Sequence, residues 1–391
     1  MIKKFVDLTG EEFFSPKSWS DLQQVFEDFK SLPALKIVVG GTNGKGETCR
    51  RIASTLESYG KSVAVFSSPH VLKINERFYF GEDCGDELLD EALISFASKY
   101  PENNIKLSFY ELTFWCFLWI LKNKYENQVN VIVLEVGLGG RLDAVNLIDS
   151  DISVITSISR DHTEILGNRY DLIFKEKLGI TREGKILFFN SRLKYLNQIA
   201  ENYCKKENIK NLYPPLVNDD YSLQNQRTAL SVCGYILGFE IPPSIKKEPL
   251  GRGRNEILFV GNKKVLLNNS HNIDGHRQYL KKMKSFDDFK EGRIVLAFSK
   301  RPVVEISSIL KMYIEYFKLG KISIYNGEFF KCLDSDLLSN LAISHEIELI
   351  NDIEFLFSKI KNDKKENYIL TGSHYFLGEV LRMHESLAAN D

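Results

Sequence analysis

Residues 36–48 read KIVVGGTNGKGET, and this stretch carries the strongest indication of the fold. A short, mostly β-branched run, 36–39, ends in glycines, and a helix-compatible stretch follows over residues 45–59. A strand, a glycine-rich turn and a helix in this order form a cradle for phosphate groups, because backbone N–H groups and the helix N-terminus face the anion. Lys45 would neutralise the terminal phosphates of a bound nucleotide.

The general phosphate-loop pattern G-x-x-x-x-G-K-[ST] is not met to the letter. Val39 stands at its first glycine, and Gly46 stands at its hydroxyl residue. On this segment alone, a glycine-rich turn without a ligand therefore stays open. The strand–loop–helix context favours a nucleotide site. Its predicted ATP-binding residues are Gly41, Thr42, Asn43, Gly44, Lys45, Gly46, Glu47 and Thr48.

Strand-like and helical patterns alternate along the chain, which is typical of β-α units and a mostly parallel sheet. Residues 238–249 contain three prolines and little periodicity, which predicts a linker. We therefore predict an α/β fold with one domain over residues 1–245 and a smaller one over residues 246–391. The predicted strands are 36–39, 63–66, 131–134, 152–155 and 186–189 before the linker, and 265–267, 294–298, 321–324 and 368–370 after it.

The composition of the chain argues against several classes of protein. Among 391 residues, 51 lysines and arginines nearly balance 52 aspartates and glutamates, which argues against a nucleic-acid-binding protein. Six scattered cysteines without a C-x-x-C pair argue against a disulfide framework or structural zinc, and favour reduced thiols in a cytoplasmic enzyme. The N-terminus has no apolar signal core. The most apolar run, 114–120, is too short to cross a membrane and predicts a buried helix.

The motifs along nearly the whole chain resemble, in order, those of the folylpolyglutamate synthase/dihydrofolate synthase family, which is related to the Mur ligases. GTNGKG at 41–46 resembles the family's phosphate loop, and EVGLGGRLDA at 135–144 is nearly its EVGLGGRLDAT block. The shorter matches are SPH and NER (68–70, 75–77), FYELT (109–113), DH and LG (161–162, 166–167), KEKLGI (175–180), GR-x-E (253–256), SHN and DG (270–272, 274–275) and GS-x-Y (372–375).

The resemblance implies a P-loop ATPase-like N-terminal domain with a mostly parallel sheet, and a smaller Rossmann-like C-terminal glutamate-ligase domain. It implies an ATP- and Mg²⁺-dependent ligase that adds L-glutamate to dihydropteroate, to reduced folates or to both through an acyl phosphate. Two Mg²⁺ ions would be bound. A carbamylated Lys177 and a monovalent cation are further components that the resemblance leaves open, and a monomer is expected.

The resemblance also assigns residues to roles. The catalytic residues would be Lys45, His162 and Lys177, and the metal ligands would be Ser68, Glu135, His162 and Glu47. Arg254, Asn268 and His271 would contact the nucleotide, whereas Arg77, Phe109, Tyr110 and Arg141 would bind the pteroate or folate. Judged alone, Lys177 would be a solvated helix lysine and His162 a structural or surface histidine.

Three positions depart from the family pattern. Glu47 replaces the metal-binding serine, Asn268 replaces an aspartate, and Arg227 stands where an asparagine is expected. We hypothesise that Glu47 is a direct or water-mediated metal ligand. Two alternatives remain: a Mur-type ligase acting on a cell-wall precursor, and a catalytically silent nucleotide-binding regulator. The first is disfavoured because only about 40 residues precede Gly41, fewer than a domain needs.

Overall fold

The computed structural model describes residues 4–5, 9, 19–101, 107–217, 221–243, 251–283, 286–363 and 366–389. The chain divides into two compact units, Met1–Glu248 and Pro249–Asp391, each with its own sheet. The predicted boundary between residues 245 and 246, and the second half of the predicted linker, lie outside the described residues. The exact boundary therefore stays a prediction.

The N-terminal unit contains a seven-stranded sheet in the order β3-β2-β4-β1-β5-β6-β7. All neighbouring pairs are parallel except β2 and β3. The strands are β1 (Leu35–Gly40), β2 (Val63–Phe66), β3 (Phe78–Tyr79), β4 (Val131–Glu135), β5 (Ile152–Ile155), β6 (Ile186–Phe188) and β7 (Lys210–Leu212). The five predicted strands of this unit are confirmed, whereas the short edge strands β3 and β7 were missed.

Helices cover both faces of this sheet, which explains why its central strands are continuous apolar runs without alternation. Every residue of β4 is buried. The described helices are α1 (Trp19–Phe26), α2 (Lys45–Ser58), α3 (Asp86–Lys99), α4 (Phe109–Ile120), α5 (Thr163–Leu166), α6 (Tyr170–Leu178), α7 (Lys194–Lys206) and α8 (Tyr221–Leu237). One face packs on α2 and α8 through Ile52, Leu56 and Val232, among others.

Helix α4 lies in the core on the other face of the sheet. It begins with a capping box, in which the Ser108 side chain accepts from the Glu111 N–H and the Glu111 carboxylate accepts from the Ser108 N–H. Phe114 is fully buried, and its ring lies 5.1 Å from that of Phe66 and 5.5 Å from that of Phe26. The buried helix predicted at residues 114–120 is thus confirmed.

The C-terminal unit has a six-stranded sheet in the order β12-β11-β10-β13-β9-β8, parallel except for the β8–β9 pair. The strands are β8 (Arg254–Val260), β9 (Lys263–Asn268), β10 (Arg293–Leu296), β11 (Ile322–Tyr325), β12 (Glu348–Ile350) and β13 (Tyr368–Thr371). The helices are α9 (Ile273–Met283), α10 (Val303–Tyr316), α11 (Ser335–Ser344), α12 (Ile353–Asn362) and α13 (His374–Ala388). The four predicted strands are confirmed, and β8 and β12 were missed.

Among the described residues, none of the helices combines the length and the apolar character that crossing a membrane requires.

Replacing Phe114 by alanine should destabilise the N-terminal unit by about 3–5 kcal/mol, because it removes a buried ring and leaves a cavity between aromatic neighbours. All three tryptophans of the chain, Trp19, Trp115 and Trp119, lie in this unit, so urea unfolding followed by tryptophan emission reports on it alone. The control Ile94→Ala, at a side chain that is 66% exposed, should change the free energy of unfolding by less than about 0.5 kcal/mol. Equal effects of the two substitutions would contradict the assigned core.

Candidate active site

The predicted phosphate loop lies at the carboxyl edge of the parallel sheet. Val39 of β1 is the register partner of Glu135 of β4, and Gly40 is the partner of Ile155 of β5. The chain therefore leaves β1, β4 and β5 side by side at one edge, where ligands bind in open α/β sheets. The topology alone brings the glycine-rich loop next to Glu135.

Two glycines give the loop its shape. Gly41 has φ +140°, and a Cβ atom there would lie 2.0 Å from the Thr156 hydroxyl. Gly44 has φ +87°, and its Cβ would lie 2.4 Å from the Asn225 amide oxygen. Both positions therefore exclude any larger side chain, by conformation and by space. Helix α2 begins immediately after Gly44.

Hydroxyl residues that follow β5 hold the loop on one side. The Thr42 N–H donates to the Ser157 carbonyl at 2.8 Å, and the Asn43 N–H donates to the Ser157 hydroxyl at 2.9 Å. The Thr42 hydroxyl and the Ser159 backbone exchange two hydrogen bonds, and the Thr156 hydroxyl donates to the Asn43 carbonyl at 2.8 Å. The sequence analysis missed these residues. The signal was available as the TSIS run that directly follows a predicted strand.

Lys45 and Lys177 converge on one carbonyl group. The Lys45 ammonium lies 3.2 Å from the carbonyl oxygens of Gly41 and Thr42, and the Lys177 amine lies 2.9 Å from that of Gly41. Lys177 is only 3% exposed. Burial and, to a smaller extent, the Lys45 charge lower the pKa of the Lys177 amine to about 7, although Asp161 and Asp143 act in the opposite direction. Lys177 is therefore a buried group at the loop and not a solvated helix lysine.

The predicted metal ligands Ser68 and Glu135 are in contact, but through the Ser68 backbone. Its N–H donates to Glu135 Oε2 at 2.9 Å, and the Glu135 side chain is buried at the end of β4. Within the described part of the chain, no group of three or more His, Cys, Asp or Glu side chains could hold a metal ion. A hydroxyl and one carboxylate fit Mg²⁺, which usually takes one or two carboxylates together with substrate phosphates and waters.

His162 stands at the surface in an uncommon conformation. Its backbone is left-handed with φ +50°, it precedes α5, and its side chain is about half exposed. Its N–H donates to Asp161 Oδ1 at 3.1 Å, and its Nδ1 lies 3.7 Å from the Glu164 carboxylate. An accessible imidazole beside carboxylates is able to bind a cation, so the predicted role of His162 stays a prediction.

Glu47, the departure from the family's serine, is held within the protein. Its Oε1 accepts from the Arg51 guanidinium at 2.8 Å and from the Ser222 hydroxyl at 2.5 Å, and its Oε2 accepts from the Asn225 amide at 2.8 Å. The neighbouring Thr48 hydroxyl is buried and donates to the Gly44 carbonyl at 2.9 Å. Glu47 therefore has partners on α2 and α8, and the Thr48 hydroxyl is bonded to the residue that precedes α2.

Two of the predicted substrate residues, Arg77 and Phe109, pack together with His70, which was not predicted. Arg77 is 7% exposed, its Nε donates to His70 Nδ1 at 2.9 Å, and its guanidinium lies 5.3 Å from the centre of the Phe109 ring. The His70 and Phe109 rings are 6.3 Å apart. The Arg77 guanidinium therefore forms a cation–π contact with the Phe109 ring, and the role of both residues in binding substrate stays a prediction.

Tyr110, in contrast, stabilises the loop 136–143. Its hydroxyl lies 3.1 Å from the Glu135 carbonyl and from Asp143 Oδ1, and it accepts from the Gly137 N–H at 2.9 Å. Burial raises the pKa of the Asp143 carboxyl to about 6, although the N–H groups of Leu138 and Val145 oppose this rise. Asp143 is the buried member of this network that the sequence analysis did not select.

Arg141 lies at the other end of the same loop. Its side chain is 56% exposed and forms an ion pair with Glu176 at 3.1 Å, while its N–H donates to the Glu176 carbonyl at 2.9 Å. The contact joins the loop to α6, which carries Lys177. The predicted role of Arg141 in binding substrate stays a prediction.

The nucleotide residues predicted in the C-terminal unit meet at the carboxyl end of β9. Arg254 and Asn268 are register partners in the β8–β9 pair. The Asn268 amide donates to Asn255 Oδ1 at 2.8 Å and accepts from the Ser270 N–H at 3.0 Å. The His271 ring lies 6.1 Å from the ring of His374. These contacts describe the C-terminal unit by itself.

Comparison with known proteins identifies the family of this chain. The family model of the Mur ligase middle domain matches residues 117–227. The dihydrofolate synthase/folylpolyglutamate synthase of Buchnera aphidicola subsp. Baizongia pistaciae is 31% identical over 386 residues, with 88% of this chain and 86% of the relative covered. The enzymes of that name from Haemophilus influenzae and Escherichia coli are 45% and 44% identical over 38% of this chain. The matched segments span 32% and 34% of those two relatives.

Solved structures share the fold at low sequence identity. A Mycobacterium tuberculosis folylpolyglutamate synthase complexed with ADP and AMPPCP superimposes with a TM-score of 0.81 at 17% identity, covering 98% of each chain. Escherichia coli FolC in complex with DHPP and ADP gives a TM-score of 0.80 at 22% identity, covering 99% of this chain and 97% of that one. The Buchnera aphidicola relative, which matches over most of both chains, shows that this protein belongs to the dihydrofolate synthase/folylpolyglutamate synthase family.

Proposed function

We propose that this protein is an ATP-dependent ligase that joins L-glutamate to dihydropteroate, to reduced folates or to both. The observation that carries the proposal is the convergence of Lys45 and Lys177 on the Gly41 carbonyl, in a loop that lies beside the buried Glu135. The names of the similar proteins support the substrates. One related structure contains Mn, AMPPNP and L-glutamate.

The chemistry follows from the poor reactivity of a carboxylate towards an amine. A carboxylate oxygen of the pteroate or folate attacks the γ-phosphorus of ATP, and ADP leaves. The amino group of glutamate then attacks the acyl carbon, phosphate leaves with both electrons of the broken bond, and one proton is released. Transfer of this kind depends on charge neutralisation and alignment, which the loop N–H groups and Lys45 would provide.

Divalent metal would neutralise further phosphate charge when bound. Ser68 and Glu135 would hold a first Mg²⁺ and His162 a second, which agrees with the hard oxygen donors at the end of β4. The burial of the Glu135 carboxylate favours a cation as its partner. Whether a monovalent cation also binds is decided by assays in sodium, potassium and choline salts.

Lys177 has the properties that carbamylation requires. Only the neutral amine attacks CO₂, and with a pKa of about 7 roughly half of this amine is neutral at pH 7. The reaction forms an N–C bond, releases one proton and replaces a buried cation by an anion. A carbamate there would place a negative charge next to Lys45. Without the carbamate, the Lys45 ammonium lies beside a second amine that is partly cationic.

The pteroate or folate would bind beside Arg77 and Phe109, whose guanidinium and ring pack on each other. Arg141 would contribute from the adjoining loop, and Arg254, Asn268 and His271 would bind the nucleotide. We place the reaction in the cytoplasm and expect a monomer without nucleic-acid or membrane partners, in line with the charge balance.

Phosphate release tests the function. We expect turnover that requires ATP, Mg²⁺, L-glutamate and an acceptor, with dihydropteroate and tetrahydrofolate each assayed alone. Product mass should increase by one glutamate residue. Turnover with only one acceptor would restrict the enzyme to that activity. No turnover with either would favour the silent nucleotide-binding alternative, and turnover only with a peptidoglycan precursor would favour the Mur-type alternative.

Lys45→Ala should lower turnover with either acceptor by about 10³-fold, because the loop loses the charge that would face the transferred phosphoryl group. Lys61→Ala is the control, since Lys61 is an exposed lysine that follows the same helix. Steady-state phosphate release measures both. A Lys45→Ala enzyme with rates like those of the wild type would refute the phosphate-loop assignment.

Lys177→Ala should lower turnover by about 100-fold, and added acetate should restore part of it by supplying a carboxylate in the vacated space. In the unmodified enzyme, removal of CO₂ should reduce turnover and bicarbonate should restore it. This response should weaken as the pH falls below about 7, because the amine then becomes protonated.

The exposed Lys175→Ala, on the same helix, serves as the control and should keep the bicarbonate response. Labelling with ¹³CO₂ and carbon NMR detects the carbamate directly. A wild-type enzyme that is indifferent to CO₂ and gives no carbamate signal would rule out the modification.

A further inference from the structure

We propose that Glu47 acts as a positioning residue and does not bind the metal. Glu47 joins the phosphate loop to α8, and Arg51 neutralises its charge. This inference rests on the proposed nucleotide site. It concerns the Glu47 network, which consists of Glu47, Arg51, Ser222 and Asn225. It replaces the metal-ligand hypothesis that the family resemblance suggested for this position.

The contacts of Glu47 account for both carboxylate oxygens. Oε1 accepts from Arg51 Nε at 3.0 Å, from Arg51 Nη2 at 2.8 Å and from the Ser222 hydroxyl at 2.5 Å. Oε2 accepts from the Asn225 amide at 2.8 Å. A carboxylate with these partners would have to lose charge-assisted hydrogen bonds, which are the strong ones, before it could bind Mg²⁺.

Burial makes such an exchange costly. The side chains of Glu47 and Arg51 are each 12% exposed, so water compensates little for a broken contact. The Ser222 hydroxyl and the Asn225 amide would also lose their acceptor. Glu47 is therefore stabilised in its present orientation by three side chains from two helices.

Asn225 connects the network to the phosphate loop. Its side chain packs directly on Gly44, since a Cβ atom at Gly44 would lie 2.4 Å from Asn225 Oδ1 and 2.6 Å from its Nδ2. Glu47 accepts from that Nδ2 and so fixes the amide plane against the glycine. Gly44 is the residue with positive φ from which α2 starts, and its carbonyl accepts from the Thr48 hydroxyl. The network thus supports the loop at the point where the phosphates would bind.

Arg51 resolves the electrostatic problem that Glu47 creates. A carboxylate two residues after Lys45 would repel nucleotide phosphates in a region of low dielectric. The guanidinium at the i+4 position forms the ion pair within the same helix. The pair has no net charge, so the helix N-terminus and Lys45 remain the positive groups at the loop.

A charge-neutralisation cycle tests this inference through binding. The variants are Glu47→Gln, Arg51→Met and the double variant, and the measurement is the Kd for ADP in EDTA and for the non-hydrolysable AMPPNP with Mg²⁺. Arg51→Met should weaken both by about tenfold or more, because it leaves the carboxylate unpaired beside the phosphates. The double variant should recover to within about threefold of the wild type.

Metal ligation predicts the opposite pattern. Glu47→Gln would then weaken Mg-AMPPNP while leaving ADP in EDTA unchanged, and the double variant would be as weak as Glu47→Gln alone. This result would overturn the proposal. So would an Arg51→Met variant that binds both nucleotides like the wild type.

A second cycle uses the contact between Glu47 and Asn225. Asn225→Asp places two carboxylates at 2.8 Å and should weaken binding of both nucleotides. Glu47→Gln combined with Asn225→Asp restores an amide–carboxylate pair and should recover most of the loss. Failure of this recovery, with a folded double variant, would contradict the positioning role. Thermal unfolding followed by tryptophan emission establishes folding of the N-terminal unit for every variant.

The controls separate this inference from the proposed function. Arg382→Met and Glu379→Gln disrupt a comparable pair within α13 and should leave both Kd values unchanged. Lys45→Ala should lose nucleotide binding in the wild-type background. If the wild type itself binds neither nucleotide, the proposed function fails. If it binds both and the double variants do not recover, only the assignment of Glu47 fails.

Discussion

The candidate site depends on one hydrogen-bond acceptor, the Gly41 carbonyl oxygen. Lys45 and Lys177 both donate to it, one from the helix that starts at the loop and the other from α6. Only glycine can occupy this position, because other residues rarely adopt a φ of +140° and because the Thr156 hydroxyl fills the space that a side chain would need. The same contact brings two amines together in a buried region, and burial and this proximity lower the pKa of Lys177.

The loop is supported from two directions. Thr156, Ser157 and Ser159 hold its first half through hydrogen bonds between hydroxyl side chains and backbone groups, and Asn225 packs on Gly44 at its end. A loop with this many partners is arranged before a ligand arrives, so little ordering would be needed on binding. With the loop held in this way, the N–H groups at the start of α2 would be preorganised to stabilise phosphate charge.

The longest match to the family, residues 135–144, serves two purposes. Glu135 at its start lies at the sheet edge, where a metal would bind, whereas Asp143 and Gly140 near its end shape the loop itself. The Asp143 carboxylate accepts from the backbone N–H groups of Leu138 and Val145 and contacts the Tyr110 hydroxyl. A Cβ atom at Gly140 would lie 2.7 Å from the Glu176 carbonyl. This loop therefore packs closely on the helix that positions Lys177.

Local patterns in the sequence were sufficient to predict most strands of the two sheets and the glycine-rich loop between β1 and α2. Apolar runs and glycine-rich turns depend on neighbouring residues in the chain, so the sequence shows them directly. Nine predicted strands are present. Of the four missed strands, β3, β7 and β12 have only two or three residues, whereas β8 has seven. Family resemblance selected Glu135, Lys177 and Arg77, which the structure places in buried surroundings. It also selected Tyr110, whose hydroxyl contacts loop backbone and Asp143.

Tertiary structure alone decided which side chains meet. Glu47 and Ser222 are separated by 175 positions in the chain, and Lys177 and Gly41 by 136. No periodicity or spacing encodes such pairs, since they arise only when α8 packs on α2 and α6 packs beside the loop. The sequence by itself determined that a glycine-rich loop follows β1 and leads into α2. The packing of distant helices decided that Lys177 is buried at this loop and that Glu47 contacts Ser222 and Asn225, because burial and long-range contacts are properties of neighbours in space.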